Sequence, residues 1–240
     1  MLDADRAAED AVVGIIRNAF SNDAIIAEEG TTGGSRSDRR WYVDPLDGTV
    51  NYLYGLRHFA VAVGCEDADG MLVAAVFDPS RGELFAAVRG EGAWRLVDSD
   101  DHPLELLRDA WVTESGERLR VRSPESIGEA LVATGFAYVA DARAEQARIL
   151  TRVVPHVRDI RRFGSAQLDL AYVAAGRYDA YFESVDKPWD WKAGALLVRE
   201  AGGRVTELPQ ARAGHPHIAA SAPGIHDALV SLLRRAVQSD

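Results

Sequence analysis

The spacing of hydrophobic positions changes several times along the chain, which indicates helices and strands mixed throughout. Apolar residues at helical spacing predict a first helix over residues 4–20 and a last helix around residues 225–233. Three further helices are expected between them, over 142–157, 165–175 and 189–201. Short apolar runs bounded by turn residues predict strands over 24–27, 41–43, 59–65, 72–77, 83–88, 178–182, 204–207 and 217–221. This mixture predicts layered α/β packing.

Two stretches lack such periodicity and are expected to be irregular. Residues 30–37 are rich in glycine, serine and threonine, which predicts a loop. Residues 95–117 are charged, with several aspartates close together, and we expect a surface insertion within a hairpin there.

Composition and charge narrow the function classes. The formal net charge of −10 argues against nucleic acid as a main partner, because phosphate backbones are held by clustered Lys and Arg. An acidic enzyme can still act on an anionic substrate if a carboxylate cluster first binds divalent metal. Cys65 is the single cysteine, which excludes an intramolecular disulfide and indicates a reducing compartment. With no signal sequence and no membrane-spanning apolar run, a cytoplasmic protein that does not bind membranes is expected.

Residues 41–51, WYVDPLDGTVN, carry the strongest chemical signal. A predicted strand delivers Asp44, the following proline forces a turn, and Asp47 comes three residues later, so both carboxylates can converge on one side. Gly48 and Thr49 follow where a helix can begin, and helix N-termini favour anions. Hard oxygen ligands beside an anion site suit Mg²⁺. Taken alone, the motif would favour a simple Asp-Pro turn with Asp47 as a helix cap.

Other acidic residues stand at predicted junctions between elements. Glu28 and Glu29 end a strand, Glu183 ends another, and Asp190 opens a helix. Each alone would be a surface charge or a helix-terminus charge. Their shared placement at junctions, where α/β proteins bind ligands, indicates one site.

These motifs resemble the inositol monophosphatase family over nearly the whole chain. Its WxxDPxDGTxN pattern is present at 41–51 and its glutamate pair at Glu28 and Glu29. The GSAxLDLxYVAAGRxDAY stretch matches residues 164–181, and WDxxAG followed by EAGG matches residues 189–203. The resemblance implies an αβαβα sandwich of the inositol monophosphatase and fructose-1,6-bisphosphatase type. It also implies one domain over residues 1–240, with a metal-binding α+β half at 1–123 and an α/β half at 124–240.

The resemblance implies two or three Mg²⁺ ions per active site. Glu28, Asp44 and the carbonyl of Leu46 would hold one ion. Asp44, Asp47 and Asp190 would hold a second ion. A third, more weakly bound ion would be coordinated by Glu28 and water. A lithium-sensitive homodimer is also expected from the family.

Catalytic and substrate-binding roles are carried over in the same way. Thr49 and Asp5 would orient and deprotonate the attacking water, with Glu28 as the third catalytic residue. The resemblance implies substrate contacts at five residues, namely Gly48, Thr49, Gly164, Ser165 and Glu183. The amides of Gly48 and Thr49 would bind phosphate, and Glu183 would accept hydrogen bonds from substrate hydroxyls.

The sequence also departs from the family pattern. The chain begins at the family's early aspartate motif, so the usual first helix is expected to be absent, and we favour a misassigned start site. Lys192 stands where small or apolar residues are commoner, and it either faces solvent or reaches substrate phosphate. Arg158, Arg161 and Arg162 form either a solvated strand edge or a substrate or subunit contact.

The leading hypothesis is a phosphatase for inositol monophosphate or a similar small polyol or sugar phosphate. Fructose-1,6-bisphosphatase, histidinol-phosphatase and adenosine 3′,5′-bisphosphate phosphatase remain alternatives, because one metal core serves all of them. A different class also stays open: a catalytically weak metal-binding dimer that acts through protein contacts.

Overall fold

The structure is a computed structural model that describes residues 3–28, 30–32, 36–98, 116–210 and 212–238. The helices of these residues are α1 (Asp3–Ala19), α2 (Thr49–Leu53), α3 (Ala140–Val153), α4 (Ala166–Ala174), α5 (Lys192–Glu200) and α6 (Pro223–Gln238). Short 3-10 helices cover Ile127–Glu129, Val154–His156 and Pro188–Asp190. No helix in these ranges is both long and apolar enough to cross a membrane.

The strands form two sheets. Strands of the first sheet are β1 (Ala24–Ala27), β2 (Thr31–Thr32), β3 (Arg40–Asp47), β4 (Ala60–Asp67), β5 (Gly70–Asp78), β6 (Glu83–Val88), β7 (Gly92–Val97) and β8 (Glu117–Arg118). Strands of the second are β9 (Leu131–Thr134), β10 (Asp159–Arg161), β11 (Ala180–Glu183), β12 (Arg204–Glu207) and β13 (Ile218–Ser221). The first sheet has the order β2-β1-β3-β4-β5-β6-β7-β8 and the second the order β10-β9-β11-β13-β12. Each predicted half of the chain thus contributes one sheet.

Helices and sheets alternate in five layers. Helix α1 packs on β3 of the first sheet, α4 and α5 lie between the two sheets, and α3 and α6 pack together on the outer side of the second sheet. The main hydrophobic core fills the space around α4 and α5 and includes Phe85, Leu170, Tyr181 and Leu197. The predicted αβαβα sandwich is confirmed.

Several element boundaries differ from the sequence predictions. Strand β3 runs past 41–43 to Asp47, because a register shift between Asp44 and Asp47 accommodates the proline. Residues 95–97 belong to β7, so the predicted insertion at 95–117 begins too early, and 99–115 lie outside the described residues. The sequence patterns also missed β2, β7, β8, β9 and β10. All of these except β7 have only two to four residues each, too short to show a period of their own.

Candidate active site

Strand β3 carries two predicted metal ligands at a break in its pairing. Asp44 lies opposite Ala62 of β4 and Asp47 opposite Ala60, with the register shift between them. The Asp44 side chain is only 4% exposed, and its Oδ1 accepts a hydrogen bond of 3.1 Å from the Leu46 amide. A bulge of this kind redirects side chains next to active sites. It brings the two aspartates close enough to act on each other electrostatically.

A sharp turn at Gly48 follows β3 and begins α2. The φ angle of Gly48 is 93°, in the left-handed region that favours glycine. A Cβ at this position would lie 3.0 Å from the carbonyl oxygen of His58 and 3.2 Å from that of Gly164. The first amides of a helix have no partner within the helix, so this turn can present N–H groups to an anion.

The Asp47 carboxylate is held by the start of α4. Its Oδ2 accepts hydrogen bonds from Ser165 Oγ at 2.6 Å and from the Gln167 amide at 2.7 Å, while Oδ1 accepts one from the Ala166 amide at 3.2 Å. Asp47 therefore does interact with a helix N-terminus, but with one that begins 118 residues later rather than with α2. Ser165 is fully buried, backbone included, and its hydroxyl orients Asp47. The predicted substrate contact at Ser165 stays a prediction.

Asn51, to which the sequence motif assigned no role, ties these parts together. It is buried, and its Nδ2 donates to the carbonyl oxygen of His58 at 2.7 Å and to that of Phe163 at 2.6 Å. Because Phe163 directly precedes Gly164, Asn51 fixes α2 against the loop that opens α4.

Glu28 and Asp190 complete the acidic group. The Glu28 amide donates to the carbonyl of Val43 at 3.3 Å, which places Glu28 beside Asp44, and its carboxylate is exposed. Asp190 ends the 3-10 helix before α5 and is half-buried. Glu29 lies outside the described residues.

Burial raises the pKa of the three aspartates of this group, and repulsion adds to the rise at Asp44 and Asp190. Burial raises the pKa of Asp44 well above its ordinary value, and the charges of Asp47, Glu28 and Asp190 raise it further. Burial raises the pKa of Asp47 to about 6, although the Ser165 hydroxyl and the α4 amides oppose this. Burial also raises the pKa of Asp190 to about 7, with repulsion from Asp47 and Glu28 adding to it. The site is therefore electrostatically suited to a cation.

Glu183 stands at the carboxyl end of β11, and its charge contributes to the raised pKa of Asp190. A Cβ on Gly135 would collide with its carboxylate, so the glycine after β9 leaves room for it. The Tyr181 hydroxyl donates to Glu183 Oε2 at 2.9 Å. Burial raises the pKa of Glu183 to about 7 despite this hydrogen bond.

The predicted arginine cluster divides in two. Arg161 pairs with Asp159 at 2.6 Å on the exposed β10 edge, as a solvated strand edge would. Arg162 lies with Cζ 6.0 Å from the centre of the Phe136 ring, and its charge lowers the otherwise raised pKa of Glu183 and of the buried Asp169. Arg162 is thus the member of the cluster that acts on the site.

Three further predicted residues have structural surroundings that sequence did not reveal. Lys192 is neither solvent-facing nor directed at a substrate, because its Nζ lies 2.5 Å from Glu66 Oε2. Asp5 is buried on α1, which packs on β3. The Thr49 hydroxyl donates to the carbonyl oxygen of Leu46 at 3.0 Å. The predicted Asp5 and Thr49 relay stays a prediction.

The donor set fits a divalent cation in its chemistry. Within the described ranges, no three Asp, Glu, His or Cys side chains converge closely enough to hold an ion as they stand. Four carboxylates and the Leu46 carbonyl nevertheless offer the hard oxygen ligands that Mg²⁺ prefers. A cation would also relieve the repulsion that raises the pKa of Asp44 and Asp190. Binding therefore requires the side chains to draw together.

Comparison with known proteins identifies the family of the chain. The model of the inositol monophosphatase family matches residues 1–238. The chain is 40% identical over 228 residues to the Nus factor SuhB of Pasteurella multocida, covering 92% of this chain and 77% of that protein. It is 41% identical over 221 residues to the inositol-1-monophosphatase of Mycobacterium bovis, covering 89% of this chain and 70% of that one. The structure of Mycobacterium tuberculosis SuhB matches with a TM-score of 0.80 at 36% identity, covering 97% and 84% of the two chains. The chain belongs to the inositol monophosphatase family.

Proposed function

We propose that this protein is a Mg²⁺-dependent phosphomonoesterase that hydrolyses inositol monophosphate or a similar small polyol or sugar phosphate by in-line attack of water. The observation that carries the proposal is the group of mutually repelling carboxylates, Asp44, Asp47 and Asp190, beside the turn at Gly48. The relative named inositol-1-monophosphatase, 41% identical, supports the substrate class.

The residues assigned to metal binding divide into two groups that share Asp44. Glu28, Asp44 and the Leu46 carbonyl would hold one ion. Asp44, Asp47 and Asp190 would hold a second, and Glu28 would also coordinate a third. Bound divalent ions neutralise charge on the phosphoryl oxygens and make a nearby water more acidic.

The remaining chemistry belongs to the side chains and amides of this chain. The amides of Gly48 and Thr49 bind phosphate oxygens. The Thr49 hydroxyl turns from the Leu46 carbonyl toward the attacking water and accepts a proton from that water as its own proton passes to Asp5. Glu183, oriented by Tyr181, accepts hydrogen bonds from the substrate hydroxyls and disfavours a second phosphate by charge repulsion.

Phosphate release from a substrate panel tests this proposal. The panel contains inositol 1-phosphate, fructose 1,6-bisphosphate, histidinol phosphate and adenosine 3′,5′-bisphosphate, each with and without Mg²⁺. We expect Mg²⁺-dependent release from inositol 1-phosphate that Asp44→Asn abolishes and the exposed control Asp69→Asn preserves. Preference for a bisphosphate by more than about tenfold, or ~1.4 kcal/mol, would overturn the substrate class. We also expect inhibition by Li⁺, and undiminished activity in Li⁺ would contradict the assigned metal ligands.

The relatives named Nus factor SuhB favour a second candidate function. In it, the chain acts as a metal-binding homodimer through protein contacts, with little or no catalysis. Complementation of a strain that lacks the gene separates the two functions. Full complementation by Asp190→Asn, together with no Mg²⁺-dependent phosphate release by the parent protein, would favour the contact role over the enzyme.

A further inference from the structure

The side chain of Gln167 clamps the turn that carries Asp190, which we call the Asp190 turn and define as residues 188–194. Gln167 is the second residue of α4 and is fully buried. Its Oε1 accepts a hydrogen bond of 2.8 Å from the Gly194 amide, and its Nε2 donates to the carbonyl oxygen of Trp189. One amide group therefore holds the Asp190 turn on both sides of Asp190.

The backbone of the same residue holds Asp47. The Gln167 amide donates to Asp47 Oδ2 at 2.7 Å, next to the Ser165 hydroxyl. Asp47 and Asp190 repel each other, since the charge of Asp47 raises the pKa of Asp190. Gln167 is thus a direct link between two carboxylates that electrostatics alone would drive apart.

The clamp depends on a close approach of α4 and α5. A Cβ on Gly194 would lie 2.5 Å from Leu170 Cβ and 3.0 Å from Gln167 Oε1. The absence of a side chain at Gly194 lets its amide reach the buried Gln167. The hydrogen bonds between Gln167 and the Asp190 turn are therefore part of a tightly packed contact.

Lys192, itself part of the Asp190 turn, binds the turn to the first sheet. Its Nζ lies 2.5 Å from Glu66 Oε2 on β4, 3.2 Å from the Tyr42 hydroxyl on β3, and 4.4 Å from the centre of the Tyr42 ring. The Tyr42 hydroxyl donates to Glu66 Oε1 at 2.5 Å, which closes the triad. Tyr42 precedes Asp44 by two residues on the same strand, so Lys192 ties Asp190 to the strand that carries Asp44.

We propose that Gln167 and Lys192 are positioning residues that set the separation of Asp190 from Asp44 and Asp47, and so determine how tightly the site binds a divalent cation. This inference rests on the proposed function, because it takes those three carboxylates as the metal ligands. Neither side chain is among the assigned metal ligands. Each acts through the backbone of the Asp190 turn.

Hydrogen-bonding partners behind metal ligands typically contribute 10–100-fold to metal affinity. Gln167→Met keeps the length and packing of the side chain but removes both hydrogen bonds to the Asp190 turn. We expect it to raise the dissociation constant for Mg²⁺ by about 10–100-fold. Lys192→Met should raise it by about tenfold, and Lys192→Arg, which keeps the charge, should restore most of the affinity.

The matched control is Gln146→Met on α3. Gln146 is also buried, and its Oε1 accepts a hydrogen bond of 2.8 Å from the Ala137 amide, but it does not contact the Asp190 turn. This variant should lower the melting temperature in EDTA and leave the dissociation constant for Mg²⁺ within about twofold of the parent value, since the hydrogen bond that it removes lies away from the Asp190 turn.

The test is titration calorimetry of the metal-free protein with Mg²⁺, without substrate, beside thermal unfolding in EDTA. Weaker Mg²⁺ binding in Gln167→Met but not in Gln146→Met supports the inference. Equal Mg²⁺ affinity in the parent, Gln167→Met and Lys192→Met overturns it, even if both variants are less stable. If Gln167→Met does not fold, the Mg²⁺ affinities of Lys192→Met and Lys192→Arg decide by the same criterion. A parent protein that binds no Mg²⁺ overturns the proposed function as well, so the two failures are distinguishable.

Discussion

Replacing Ser165 by alanine should weaken both the fold and the site, by an amount that the structure allows us to work out. The buried Ser165 Oγ accepts a hydrogen bond of 3.3 Å from the Leu168 amide as the N-cap of α4, and donates one of 2.6 Å to Asp47. Loss of an N-cap costs about 1 kcal/mol, and loss of a hydrogen bond to a charged group about 1.5–3 kcal/mol. The free energy of unfolding should fall by roughly 2.5–4 kcal/mol, or about 5–16 °C in melting temperature for a chain of this length.

The same substitution should shift the pH dependence of metal binding. The Ser165 hydroxyl contributes most among the hydrogen bonds that lower the pKa of Asp47, against the burial that raises it to about 6. Without that hydroxyl the pKa of Asp47 rises, so protons compete with Mg²⁺ at higher pH. Mg²⁺ affinity should therefore fall more at about pH 6.5 than at about pH 8.5.

Calorimetric unfolding in EDTA and Mg²⁺ titration at the two pH values provide the assay. The control is Ser126→Ala, at an exposed N-cap whose side chain makes no capping hydrogen bond. The control should change the free energy of unfolding by no more than about 0.5 kcal/mol. Equal melting temperatures for the two variants would refute the structural reasoning, and an equal loss of Mg²⁺ affinity at both pH values would refute the electrostatic reasoning.

Three further predictions concern the same site. Because burial raises the pKa of Asp190 to about 7, the folded metal-free protein holds more protons than the unfolded chain between about pH 4 and pH 7. The stabilisation from these extra protons is present at the acid end and is lost as pH rises through about 7. In EDTA, the denaturant concentration at the midpoint of unfolding should therefore fall between pH 5 and pH 8 in the parent protein. Asp190→Asn should make that fall smaller. Asn51→Leu leaves two carbonyl oxygens without their donor and should cost about 2–5 kcal/mol in a urea titration, against almost nothing for the exposed Asn22→Leu. Gly48 and Gly70 both have a left-handed φ, so replacing either by alanine should cost about 1–2 kcal/mol in stability. Of the two, only Gly48 is crowded by backbone atoms, so only Gly48→Ala should also lower kcat/KM. Equal kcat/KM in the two variants would contradict the assigned role of the turn.

Long amphipathic helices and alternating strands were predictable because their periodicity is local. The predictions for β1, β6 and β12 match the observed bounds. Strand β3 was cut short at Val43 because Asp44 and the following proline are poor strand residues. Only pairing with β4 across a register shift shows that the strand continues.

The motif residues were likewise predictable, but the contacts that hold them were not. The hydrogen bonds from the start of α4 to Asp47 span 118 to 120 residues, and no local pattern encodes them. Gln167 did leave a signal in the sequence, since it is a polar residue in a helix whose residues are all buried. Such a residue is expected to have a specific hydrogen-bonding partner. The Lys192 triad gave no comparable signal, because its members come from three separate elements.

Removal and return of metal tests the central claim most directly. Phosphate release from inositol 1-phosphate would be measured on the parent protein, then after treatment with EDTA, and again after Mg²⁺ is restored. We predict that EDTA abolishes phosphate release and that Mg²⁺ restores it. Release that continues undiminished in EDTA would contradict the assignment of Glu28, Asp44, Asp47 and Asp190 to a catalytic metal site.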